Sequence, residues 1–244
     1  GSSKLVWQNS WGFTTRSLGV MFMNHADDKG LVLPPRIAPI QVVFVPIYFK
    51  EKDSLNAKVA DLGAELQKLG VRVHLDTRDN CNPGYKFNEW ELKGVPLRVE
   101  LGPKDVEKQQ CVIVRRDTGA KMFVAWSDFA STVETLLTTI QSDLLNKALT
   151  SHKESIVQTT TWEGFMEAIS TKRLGLIPWC GNTPCEQDIK VQSAKDSKGE
   201  KGAATGAAKS LCIPFEQPEE PASNHKCVKC GEQAKQWVLF GRSY

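Results

Sequence analysis

The stretch IQVVFVPI at 40–47, followed by SLNAKVADLGAELQKLG at 54–70 and VRVHLD at 71–76, decides the fold. The first run is β-branched, apolar and of strand length, whereas Leu55, Val59, Leu62, Leu66 and Leu69 recur three or four residues apart, which is helical spacing. Ser54 is placed as an N-cap and Gly70 as the left-handed residue past the helix end. VRVHLD returns as a strand, so this stretch reads as one β-α-β unit.

Further along, LRVELG, CVIVRR and KMFVAW read as short strands, and an amphipathic helix spans roughly Asp128 to Lys147. A mixed sheet with helices packed on it follows. Upstream, KLVWQNSWGF is extended and aromatic, and Leu18, Met21 and Phe22 then fall at helical spacing, predicting a strand and a helix. A chain that opens inside such a unit is expected to be the tail of a larger domain. From about Ser151 come a short helical piece, TTWEGFMEAIS, the segment LIPWCGNTPCEQDIK, and the Lys/Gly/Ala stretch AKDSKGEKGAATGAAKS at 194–210, expected to be flexible.

With 244 residues, 41% hydrophobic and 24% charged, the chain is expected to be globular with one to three compact units. The start, GSSKLVWQNSWGF, lacks the basic and apolar regions of a secretory signal, and no apolar run reaches membrane-spanning length. The expected compartment is therefore the cytosol or an organelle interior, with no membrane partner. Seven cysteines, odd in number and scattered, fit reduced thiols rather than a disulfide framework. The net charge of +3 is too small to identify a nucleic-acid partner by itself.

Four of the cysteines pair by spacing. Cys227 and Cys230 in NHKCVKCG form a Cys-x-x-Cys turn, and Cys180 and Cys185 in PWCGNTPCE form a Cys-x4-Cys loop across the polar stretch. Four thiolates close a tetrahedral coordination sphere, which predicts a structural Zn2+ site. His225, two residues before Cys227, is the competing ligand, since imidazole also suits zinc. Cys111 and Cys212 are expected in apolar strands as small core residues, and Cys81 in a turn.

In RDNCNPGYKFNEWELKGVPLRVELGPKD, residues 78–105, charged and aromatic side chains interleave around Pro-Gly turns, as on a surface that reads a ligand. Taken with NSWGFTTRSLGVM before it and WCGNTPCE, CVKCG and FGRSY after it, the chain resembles the C-terminal part of the prolyl-tRNA synthetase family of eukaryotic and archaeal type. The resemblance implies an α/β fold class. A mixed-sheet anticodon-binding domain with packed helices would occupy 37–150, a small α+β zinc-binding domain 151–244, and a strand-helix remnant of a class II catalytic domain 1–36.

SWGFTTR resembles class II motif 3, which implies ATP contacts from Thr14 and Arg16, the planar guanidinium stacking on adenine or pairing with phosphate. The family's anticodon-reading positions fall on Glu91, Arg98, Lys104 and Lys121. A carboxylate accepts from the N1 and N2 donors of guanine, and Arg or Lys donates to O6, N7 or phosphate. The family's zinc ligands fall on Cys180, Cys185, Cys227 and Cys230, and its terminal Tyr, here Tyr244, is expected to be ordered and to point toward Trp11–Arg16.

The implied parent enzyme is a homodimeric proline-tRNA ligase. It activates proline with ATP and Mg2+ and transfers it to tRNA(Pro). This stretch alone is expected to be inactive, because class II motifs 1 and 2 are missing from it. The alternatives are a non-catalytic tRNA-binding module with a structural zinc domain, and a structural zinc protein that binds no RNA.

Overall fold

The computed structural model describes residues 2–48, 52–196 and 207–242. They fall into two compact units, divided between Asn146 and Lys147.

The first unit opens with α1 (Arg16–Asn24) and a two-stranded hairpin, β1 (Ala26–Asp27) and β2 (Gly30–Leu31). Then come β3 (Val42–Pro46), α2 (Lys52–Lys68), β4 (Val73–Leu75), α3 (Pro83–Leu92), β5 (Leu97–Leu101), α4 (Pro103–Glu107), β6 (Gln110–Arg115), β7 (Lys121–Ala125) and α5 (Phe129–Ser155), whose residues from Lys147 on belong to the second unit. The sheet order is β4-β3-β5-β6-β7, parallel through the first three strands and antiparallel beyond. β3 lies inside the sheet and every one of its residues is buried, which explains a continuous apolar run rather than an alternating one.

The sheet has two unlike faces. Val42, Phe44, Leu97, Val99 and Ile113 pack against Val59, Leu62 and Leu66 of α2 and Phe129, Val133 and Ile140 of α5. On the other face Val43 and Val45 meet Trp90 of α3 and Val95. Because side chains alternate across a strand, Arg98 and Glu100 of β5 share that second face. Register aligns Val43, Arg98, Val114 and Lys121 in one row across β3, β5, β6 and β7.

Several expectations are corrected. The strand expected before α1 does not form: residues 2–14 carry no regular element, and Leu5, Trp7, Trp11 and Phe13 are exposed. A strand needs a neighbour for its backbone groups, and none pairs with this segment among the described residues. Ser54 is not an N-cap but lies inside α2 (Lys52–Lys68). Tertiary contacts hold the N-terminal part of that helix, with Tyr48 Oη 2.7 Å from Asn56 Oδ1 and Lys52 Nζ 3.1 Å from Asp79. Leu69, past the helix end, is exposed.

One helix that the sequence reading did not place is α3, in a segment that reads as turns around Pro83-Gly84. Asn82 caps it by accepting from Tyr85 N at 2.8 Å, and Pro83 occupies the first helical turn, where its missing N–H costs nothing.

The second unit carries β8 (Ile156–Gln158), α6 (Trp162–Ser170), β9 (Leu174–Trp179), α7 (Thr183–Asp196), β10 (Ala208–Cys212) and β11 (Gln236–Arg242). Its sheet order is β10-β11-β9-β8, with only β8 and β9 parallel. Phe165, Ile169, Ile177, Ile189, Val238 and Phe240 form the core. Thr161 caps α6 by accepting from Gly164 N at 3.2 Å. The ends of the polar stretch are regular, in α7 up to Asp196 and in β10 from Ala208, while 197–206 lie outside the described residues. Cys111 is buried as expected, but Cys212 is exposed, because it ends the edge strand β10 just after a register shift.

Candidate functional site

On the second face of the first unit's sheet, α3 covers β3 and leaves the rest partly open. A cleft of about 230 Å³ remains, lined by Lys29, Glu91, Arg98, Arg115, Arg116 and Lys121 together with apolar residues of the sheet and α3. Three of the four expected anticodon-reading residues, Glu91, Arg98 and Lys121, meet there. Lys104 is exposed on α4 and does not line the cleft.

Each side chain has a reason for its place. Glu91 follows Trp90, whose indole Nε1 donates 2.7 Å to Asp76 Oδ2 and so sets the rotation of α3. Asp76 also accepts from Arg78 Nε at 2.8 Å and lies 3.6 Å from Lys86 Nζ, and both Asp76 and Lys86 are fully buried. Burial alone would raise the Asp76 carboxyl, but Arg78, Trp90 and Lys86 outweigh it and hold it well below the usual carboxylate range. Lys86 also donates to the carbonyl of Asp76 at 3.0 Å and to that of Arg78. The segment after β4 is thereby tied to α3.

The Arg98 guanidinium carbon lies 4.3 Å from the Phe87 ring centroid, and Nε and Nη2 donate to Glu100 Oε1 at 3.0 and 2.9 Å. Among the described residues no hydrogen bond engages its Nη1. Arg115 is held by Asp117 and Asp143, both at 2.6 Å. Lys121 is exposed at the start of β7, one register step beyond Val114. The cleft thus combines one carboxylate with several cations above an apolar floor, a set able to accept from and donate to the edge of an unstacked base.

Sequence reasoning missed Lys29, Arg115 and Arg116. Arg116 is buried and reaches back to the hairpin, donating to Asp27 at 2.8 and 2.6 Å and to the carbonyls of Glu91 at 2.9 Å and Gly30 at 3.2 Å. These hydrogen bonds from Arg116 hold the Asp27 carboxyl far below its ordinary range. No local pattern marks a contact spanning 89 residues.

In the second unit, Cys180, Cys185, Cys227 and Cys230 bring their sulfurs within 4.8 Å of one another. The Cys185 and Cys227 sulfurs are 3.6 Å apart. A tetrahedral ion with metal–sulfur bonds of about 2.3 Å places its sulfurs about 3.8 Å apart, so the four can hold a metal ion. The turn around Cys227 is built for it: Gly231 donates to the Cys227 carbonyl at 3.0 Å and adopts φ +73°, and Cys227 N donates to Glu232 O at 2.7 Å. Burial pushes the Cys227 thiol up, but backbone N–H groups of Cys230, Lys229 and Cys180 outweigh it and favour the thiolate. Asn182 Nδ2 joins the two halves through Glu232 at 3.0 Å. His225 is outside the cluster, 3.2 Å from Glu220 and edge-on to the Trp237 ring.

Thr14 and Arg16 are exposed at the start of α1, apart from the cleft. Tyr244 lies outside the described residues.

Comparison with known proteins places this architecture. Residues 41–136 match the family described as "Anticodon binding domain", and 162–244 match "Prolyl-tRNA synthetase, C-terminal". Joined in one chain, these two domains mark a region of an aminoacyl-tRNA synthetase.

The chain belongs to the prolyl-tRNA synthetase family and carries its C-terminal region. It is 48% identical over 252 residues to a bifunctional glutamate/proline--tRNA ligase of Drosophila melanogaster, covering 99% of this chain and 14% of that protein. It is 43% identical over 245 residues to a cytoplasmic proline--tRNA ligase of Arabidopsis thaliana, covering 99% and 44%. A proline--tRNA ligase of Bacillus thuringiensis is 40% identical over 246 residues, covering 100% and 48%. The chain therefore spans less than half the length of each of these relatives.

Proposed function

We propose that this chain reads the anticodon of proline tRNA for an enzyme that activates proline with ATP and transfers it to that tRNA. The single observation that carries the reading is the convergence of Glu91, Arg98 and Lys121 in one cleft of the domain matching the anticodon-binding family. Glu91 accepts the N1 and N2 donors of an anticodon guanine. Arg98 and Lys121 donate to base edges or phosphate, and Lys104, away from the cleft, takes a phosphate.

In the same reading 1–36 closes a catalytic domain, 37–150 reads the anticodon and 151–244 is a zinc domain. The ion held by the four cysteines is Zn2+, for which an all-thiolate tetrahedron is the preferred donor set, and with no open position it is structural. Thr14 and Arg16 contact ATP in the complete enzyme, which uses Mg2+, is a homodimer and works in the cytoplasm. The name of the Arabidopsis relative supports that location.

The test is binding of this chain to an anticodon stem-loop carrying guanine at the position read, and to the same RNA with adenine there. Glu91→Gln is expected to cost the guanine RNA about 1–3 kcal/mol and to collapse the ratio of the two affinities. An unchanged ratio refutes the assignment.

A further inference from the structure

We propose that the 26–31 hairpin, outside the residues that match the anticodon-binding family, is a working wall of the cleft. Asp27 positions Glu91 through Arg116, and Lys29 binds the phosphate flanking the base that Glu91 reads. The inference rests on the reading of Glu91 as the guanine acceptor.

The hairpin is locked in place. A Cβ on Gly30 would stand 2.5 Å from the Leu92 backbone, and one on Gly94 2.6 Å from that of Leu31, so the two segments touch where only glycine fits. Leu33 N donates to Gly94 O at 3.2 Å. The fork of Arg116 meets both oxygens of Asp27 at 2.8 and 2.6 Å, a two-point geometry that fixes the guanidinium plane. With that plane fixed, Nε is aimed at the Glu91 carbonyl at 2.9 Å. This carbonyl lies in the last turn of α3 and also accepts from Gly94 N at 3.0 Å, so Arg116 and the turn that ends the helix together fix where the Glu91 side chain leaves it.

Lys29 follows from the same geometry. Its Nζ is 3.4 Å from Glu91 Oε1, and its side chain is 68% exposed against 27% for Glu91. When the donors of a guanine occupy that carboxylate, the ammonium loses its partner on a flexible stem at the rim of the cleft. The anionic group then offered to it is the phosphate of the nucleotide being read. Asp27 acts on the base and Lys29 on the backbone, and the two roles have opposite signatures.

The experiment measures affinities of the 244-residue chain for the guanine and adenine stem-loops over a range of salt concentrations. Lys29→Ala is expected to weaken both RNAs alike and to reduce the slope of log affinity against log salt by about 0.7, leaving their ratio unchanged. Asp27→Asn is expected to lower the ratio at least about threefold with the salt slope unchanged, and Asp27→Glu to restore it. A merely structural role for Asp27 would weaken both RNAs equally and overturns its part. An unchanged slope in Lys29→Ala overturns the phosphate contact, and that arm stands even if Asp27→Asn loosens the fold. If Glu91→Gln collapses the ratio while neither hairpin variant has its signature, this inference alone fails. If Glu91→Gln leaves the ratio intact, the reading of Glu91 fails with it.

Discussion

Trp90 and Asp76 are joined by a 2.7 Å hydrogen bond from the indole Nε1 to the carboxylate, across the turn between β4 and α3. Trp90 precedes Glu91, so a contact buried under the sheet governs a side chain in the cleft. Lys86, buried one helical turn earlier, faces the same carboxylate at 3.6 Å. The lining of the cleft and the packing of the sheet therefore meet in one helix.

Asp76→Ala is expected to leave the Lys86 ammonium buried without its carboxylate, and breaking such a pair costs about 3–5 kcal/mol. Urea unfolding of the first unit should shift to a clearly lower midpoint. A shift no larger than that of an exposed substitution would show that Lys86 finds another partner.

The same carboxylate makes stability depend on pH. Asp76 binds its proton more weakly in the folded chain than in the unfolded one. Its contribution is therefore fully present above about pH 4 and drains away as pH falls through the lower, folded value. Asp76→Asn should flatten the acid side of a plot of unfolding midpoint against pH and leave its neutral-to-alkaline side parallel to wild type.

Metal analysis of freshly purified protein under reducing conditions should give one zinc per chain. Cys185→Ser opens the coordination sphere and is expected to lower zinc content and unfold the second unit selectively, since its core includes Cys180, Cys185 and Cys227. Native-state hydrogen exchange would locate the loss: protection should fall in β9 and β11 and persist in β3 and β5.

Gly175 sits beneath the Phe165 ring, and a Cβ there would stand 2.5 Å from it. Gly175→Ala is expected to destabilise the second unit by about 1–3 kcal/mol through overpacking. Thermal melts would register it. An unchanged midpoint would mean that α6 shifts without cost.

By itself the sequence determined what depends on local order and spacing. The β-α-β unit was legible because strand-length and helix-period apolar runs alternate with Gly70 as a stop. The cluster of four cysteines was legible because short Cys spacings are rare without a metal, while a family likeness marked Glu91, Arg98 and Lys121 one at a time and left their meeting in one cleft to the fold.

Contacts between distant segments were decided by tertiary structure alone. Ser54 falls inside a helix whose N-terminal part is held by Tyr48 and Asp79. Asn82 and Pro83 carried a legible start signal for α3, but only packing on Val43 and Val45 shows which face Trp90 buries. Cys212 reads as core in an apolar context and is exposed because β10 lies at a sheet edge. Asp27 and Arg116 look like ordinary surface charges in sequence. Their pairing depends on a hairpin and a strand end meeting in space, where the buried Arg116 guanidinium requires a carboxylate and the exposed Asp27 supplies it.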